Sequence, residues 1–374
     1  MTRRIAGYVE QYGQAVFMKQ KELWINQIKG LCICLVVIYH SVITFYPHLT
    51  TFQHPFSQVI SKCWIYFNLY LAPFRMPVFF FISGYLIRRY VDVVPWKACL
   101  EKRIWSILWV LALWGVVQWL ALTSLNHWLA PERDLSSSAN AAYATSVNAF
   151  LHGMLTASTS LWYLYALMVY FVLCKLFARW ATPLFAVFVV LSVTINFLPT
   201  SWWGMNSVIR NLPWYSLGAW FGASLMAEMK QTPLRRHPVV ILTLVVAAVA
   251  AWLANIALLL SFVSIVLIMK AFYQFEQRYG MRSSGLLNVI GSDTIAIYTT
   301  HRILVESFSL TLTPKLNHAA WSPQIELMLL LVYPFLSLLL CTLAGLAVRN
   351  VSQKLFADLF FSPPSRLSAA RSSA

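Results

Sequence analysis

An all-α bundle of about ten membrane-crossing helices is the fold class this sequence predicts, and three observations carry it. The first is composition. Of 374 residues 59% are hydrophobic and 11% charged, whereas a soluble domain carries about 25% charge. No soluble fold of this length buries so much apolar surface. The second is run length, since the apolar stretches reach the ~20 residues that a helix needs to cross a ~30 Å hydrocarbon core. They lack the ten-residue dyad alternation of a transmembrane barrel. The third is where the basic residues fall, between the runs and mostly in alternate gaps.

In chain order the runs place spans at about 28–47, 64–87, 104–124, 160–178, 181–199, 207–226, 238–254, 256–272, 288–308 and 325–347. Residues 238–272 have no polar loop at their middle. They read either as a tight hairpin of two short helices around Asn255 or as one long tilted helix. With the N-terminus inside, the cytoplasmic gaps hold 22 of the 28 Lys and Arg. That asymmetry sets both termini in the cytoplasm. The formal charge of +16 is therefore topological. No basic stripe interleaved with stacking aromatics runs along the chain, which argues against nucleic acid as a partner.

The chain divides into a cytoplasmic N-terminal extension at 1–21, a transmembrane domain at 22–350 and a cytoplasmic tail at 351–374, polar and weakly patterned from Ser362. No cleavable signal precedes the first span, and Met18 before Lys19 offers an alternative start. The longest outer loop, about 125–159, is long enough to carry a surface helix or to cover a site. Six cysteines show no paired or metal-like spacing, so neither a disulfide framework nor a metal site is expected.

Ionisable residues inside spans default to a functional reading because their burial in lipid is costly. Lys29 and His40 lie in the first span. Eleven residues make about three turns, so the two share one helix face ~16 Å apart. Arg75 stands before Met76-Pro77 within or at the edge of the second span, where it either needs an anion or carbonyl partner or anchors the outer interface. Ser83-Gly84 reads as a helix-packing site. Lys102 and Arg103 enter the third span, where they serve topology or hold phosphates. In the ninth, Thr294, Tyr298 and His301 share a face, and Arg302 and Glu306 form an i,i+4 pair. Asp293 sits near the cytoplasmic end of that span, a polar channel residue or the partner of a basic residue on another helix.

Together these segments resemble membrane acyltransferase family 3. The resemblance rests on Lys29-x10-His40, Phe74-Arg-Met-Pro-Val-Phe-Phe-Phe-Ile-Ser-Gly-Tyr85, Lys102-Arg103-Ile104, Leu161-Trp-Tyr-Leu164 and Gly291-x2-Thr294-x2-Ile297-Tyr298-x2-His301, in the family's order over about residues 22–350. It implies an integral O-acyltransferase of the bacterial inner membrane. Such an enzyme moves an acyl group, often acetyl, from cytosolic acyl-CoA to a hydroxyl of a periplasmic or surface glycan. The family's Arg/Lys-x10-His pair falls on Lys29 and His40. Three positions depart from the pattern. Asn26 stands for the usual Asp, Arg75 for a common His before Met-Pro, and Ser106 for a second Arg.

On this reading Lys29, Lys102 and Arg103 meet the phosphates of acyl-CoA, which is a co-substrate, with no resident cofactor expected. His40 takes the proton of the acceptor hydroxyl, and Tyr298 or His301 orients it or stabilises the oxyanion. Arg75 and Asp293 line the substrate path. The expected partners are acyl-CoA, a glycan acceptor, the lipid bilayer and a second copy of the chain in a homo-oligomer. A multi-pass transporter or flippase is the main alternative, disfavoured by the absence of inverted repeats. An inactive family member serving in membrane assembly is another.

Overall fold

The computed structural model describes residues 23–134, 141–198, 202–231, 238–280 and 282–364, without the side chains of Lys102 and Val240. The N-terminal extension and the end of the tail lie outside the described residues. Helices account for nearly all of what is described, and no strand occurs among the described residues. Six helical stretches are long and apolar enough to cross a membrane. They are Leu23–His48, Pro55–Asp92, Trp96–Leu129, Ala178–Phe197, Leu258–Tyr279 and Pro323–Leu355, while Trp162–Leu176 and Ile241–Leu253 are apolar but shorter.

The central helix α1 (Leu23–Phe45) is buried along most of its length. Its first residue marks the near end of the bundle and Phe45 the far end. Helix α2 (Pro55–Tyr70) follows at the far end, opened by Pro55 at its first position. A turn at Leu71 leads into α3 (Ala72–Asp92), which returns to the near end. The expected second span at 64–87 is thus two helices. A π-turn at Leu100–Trp105 feeds α4 (Ser106–Leu129). The long loop carries α5 (Val147–Leu155), whose first turn is capped by Ser146 Oγ accepting from Ala149 N at 3.1 Å.

Helices α6 (Trp162–Leu176), α7 (Ala181–Thr194) and α8 (Trp203–Ser216) follow. A π-turn at Leu217–Phe221 joins α8 to α9 (Gly222–Gln231). Helices α10 (Pro238–Leu253) and α11 (Leu258–Tyr279) form the hairpin, not one long helix. Asn255 at φ 63° ends α10, with Ile256 N bonded to Ala251 O and Asn255 N to Trp252 O, both at 2.9 Å. This left-handed termination suits Asn. The short α12 (Leu286–Ser292) then leads into α13 (Thr294–Asn317), and α14 (Pro323–Leu355) closes the bundle.

Small residues let backbones meet where the core is tightest. A Cβ on Gly84 of α3 would lie 2.1 Å from Tyr215 O, and one on Gly218 2.1 Å from Phe81 O. The contact is reciprocal, so the packing role expected of Ser83-Gly84 holds. Gly30 of α1 and Gly291 of α12 meet in the same way, 2.2 Å from Leu287 O and 1.8 Å from Asn26 O.

The domain boundary expected at 350 does not mark the end of the packed structure. Helix α14 continues to Leu355, and the chain then folds back on α4. There Trp109 Nε1 donates to Leu359 O at 2.8 Å and Trp114 Nε1 to Phe360 O at 2.9 Å, while Phe361 stacks on Trp114.

Candidate active site

The site gathers where α1 and α13 run side by side. The rings of His40 and His301 lie 5.2 Å apart between centroids. His301 is 1% exposed, and its Nδ1 is 2.7 Å from Tyr298 O. A carbonyl only accepts, so Nδ1 carries the proton and the buried Nε2, which has no partner, holds the lone pair. His40 is partly exposed to a cavity of about 620 Å³ and its Nδ1 also lacks a partner. The Tyr39 ring stands edge-on to His40 at 5.0 Å, and the Arg75 guanidinium lies 4.2 Å over the Tyr39 ring. Arg75, Tyr39, His40 and His301 thus form one contiguous row.

The cavity opens between helices in the far half of the bundle. Its wall includes the starts of α3 and α6, one face of α8 from Trp203 to Trp214, the α10–α11 hairpin, and Val36, Tyr39 and His40 of α1. It is rich in indoles (Trp162, Trp203, Trp214, Trp252) and in amides (Asn196, Asn211, Asn255). Arg75 and Arg210 line it as well. Sequence reading singled out neither the indole and amide wall nor Arg210, although an arginine within an apolar run was a signal.

Tyr298 lines the cavity, but its hydroxyl is committed. It donates to Ser160 O at 2.6 Å and accepts from Tyr163 N at 3.3 Å. It therefore fixes the start of α6 and leaves no proton for an oxyanion. Ser160 is held in turn by Gln118, whose Oε1 accepts from Ser160 Oγ at 2.5 Å and whose Nε2 donates to Thr299 O at 2.7 Å. Tyr143 from the long loop joins this group through Gln118 and Ser160. Next to His301 in the chain, the Arg302 Nη2 pairs with Glu306 Oε2 at 2.8 Å, and the other oxygen of Glu306 pairs with Arg133 of the long loop. That loop is thereby tied to the helix carrying His301.

Lys29 and Arg103, two of the cations expected at the phosphates, lie outside the cavity wall. Lys29 Nζ donates to Asn26 Oδ1 at 3.3 Å at the near end, and Lys29 is not in the cavity wall. The cavity that holds His40 therefore does not extend to Lys29. Arg103 stacks over the Tyr90 ring at 4.1 Å with a buried Nε that lacks a partner. The side chain of Lys102 lies outside the described residues. Lys175 closes the end of α3 by donating to Tyr90 O and Val94 O, both at 2.7 Å. Asp293 is not a channel residue. It pairs with Arg349 of α14 at 3.3 Å, and Arg349 also holds Asp358 at 2.5 Å, so the triad anchors the C-terminal segment.

The sequence matches the acyltransferase domain model of the Acyl_transf_3 family over residues 22–347. The chain belongs to this family. It is 77% identical over 348 residues to the inner membrane protein YcfT of Escherichia coli K12, covering 93% of this chain and 98% of that protein. No solved structure matches it. With such a relative and several helices able to span a bilayer, the chain is a multi-pass protein of the bacterial inner membrane.

Proposed function

We propose that the protein is an O-acyltransferase that takes an acyl group, acetyl by preference, from cytosolic acyl-CoA and places it on a hydroxyl of a periplasmic or surface glycan. The observation that carries the reading is His40 in the cavity wall with the buried His301 ring packed beside it. The basic clusters favour the near end as cytoplasmic. In that orientation ten segments cross: α1, α3, α4, α6, α7, α8 with α9, α10, α11, α13 and α14. The helix starts that carry Lys29, Lys102 and Arg103 then lie at the cytosolic end, at the level of acyl-CoA phosphates. The thioester reaches toward His40 from that side while the acceptor occupies the far cavity. An indole and amide lining suits the apolar faces and hydroxyls of a sugar ring.

In this scheme uncharged His40 takes the proton of the acceptor hydroxyl as its oxygen attacks the thioester carbonyl. The C–S bond breaks, the ester C–O bond remains, and the proton passes to the departing CoA thiolate. His301, with its tautomer fixed by the Tyr298 carbonyl, supports and orients His40 rather than touching the acceptor. The test is transfer from labelled acetyl-CoA to a glycan acceptor in inverted membrane vesicles. His40→Ala should abolish transfer while the protein accumulates normally. Full transfer by that variant would refute the role of His40 as base.

A further inference from the structure

Five arginines of this molecule form two contrasting groups. Arg302, Arg133 and Arg349 each pair with a carboxylate: Glu306 serves the first two, and Asp293 and Asp358 serve the third. Arg75 and Arg210 make no ion pair among the described residues, and both line the cavity. Arg75 is only 4% exposed. Its protein contacts are the Tyr39 ring and one long bond from Nη1 to Asn68 O at 3.4 Å, which leaves most of its five N–H donors without a protein acceptor. Arg210 is exposed within α8, about 10 Å from the start of that helix. Its backbone carbonyl is taken by Ser192 Oγ at 2.7 Å, but its guanidinium has no acceptor among the described residues. No Asp or Glu among the described residues lies in the cavity wall.

Two like charges facing one partly desolvated cavity without a counter-charge repel each other and lose hydration. A ligand oxyanion removes both penalties, and the planar guanidinium fork binds phosphate and carboxylate in two-point fashion. We infer that the acceptor held in this cavity is a saccharide bearing an oxyanion, phosphate or carboxylate, gripped by Arg75 and Arg210. The inference rests on the reading of the cavity as the acceptor's site and names the class of acceptor. An anion at this point also sits close enough to His40 to hold the neighbouring hydroxyls in place during transfer.

The experiment is equilibrium binding to the full chain, purified in a polyoxyethylene detergent free of sugar and phosphate. Glucose, glucose 6-phosphate, glucuronate, inorganic phosphate and phosphatidylglycerol are the probes. At least one sugar anion should bind tenfold or more tighter than glucose, equivalent to about 1.4 kcal/mol. Arg75→Gln and Arg210→Gln should each remove that preference, and Arg75→Lys should keep part of it. Arg210 is exposed, so its variant reports on binding even if the Arg75 variant does not fold. Equal binding of glucose and its anions would overturn the inference, as would a preference that survives both Gln variants. Inorganic phosphate binding as tightly as the sugar phosphate would show a free-anion site and overturn it too. So would arginine-dependent binding of phosphatidylglycerol without the sugar anions. The readout is binding and not turnover, so failure of acyl transfer leaves this result intact, and a missing anion preference leaves acyl transfer itself untouched.

Discussion

Replacing Glu306 by Ala isolates the energetics behind the candidate site. The carboxylate is 2% exposed and serves two arginines, Arg302 at 1% and Arg133 at 25% exposure. Its removal leaves Arg302 buried with a single hydrogen bond to Thr44 Oγ1 at 3.2 Å. Breaking one side of a buried ion pair costs about 3–5 kcal/mol, because the remaining charge is desolvated without compensation. Arg133→Ala removes only the more exposed partner and should cost about 1 kcal/mol or less. The double variant Arg302→Leu with Glu306→Leu removes both buried charges and should recover most of the loss. The assay is denaturant unfolding of the purified protein in detergent, compared across wild type and the three variants. The reasoning requires Glu306→Ala to be the least stable of the set, with the double variant well above it. If Glu306→Ala matched wild type, or if the double variant were as unstable as the single one, the network would not be carrying a buried charge.

Two further outcomes follow from backbone contacts. Gly84→Val should destabilise by about 3 kcal/mol or more, since its Cβ would meet the Tyr215 carbonyl, a backbone atom that cannot swing aside; a thermal midpoint unchanged from wild type would refute the close approach. Asn255→Gly should leave stability nearly unchanged, whereas Asn255→Val should cost about 1–2 kcal/mol for a side chain forced to positive φ, read as a lower thermal midpoint in the same detergent.

Most helix positions were legible because apolar run length reports directly on a bilayer crossing. The second expected span, 64–87, overlaps two helices: residues 64–70 belong to α2, whose Phe56, Val59, Tyr66 and Phe67 are exposed, and the rest to α3. The α10–α11 junction was ambiguous because nothing polar separates the two runs. Backbone conformation at a single Asn resolved it. Asp293 stands just before α13, and the sequence leaves a basic partner as one of two options for it. Only the fold-back of the C-terminal segment shows that Arg349 takes it and that it leaves the cavity to other residues.

By itself the sequence determined that this chain is a helical membrane protein, that Lys29 and His40 share a helix, and that Tyr298 and His301 share another. Local spacing is enough for that, because helical periodicity ties sequence separation to a face. Tertiary structure alone decided that His40 and His301 stand ring to ring, that Tyr298 spends its proton on Ser160, and that Arg75 and Arg210 face one cavity from different helices. Those relations depend on which helices are neighbours and on how each is rotated. Close glycine contacts and buried ion pairs between distant segments set both, and periodicity within one helix carries no record of either.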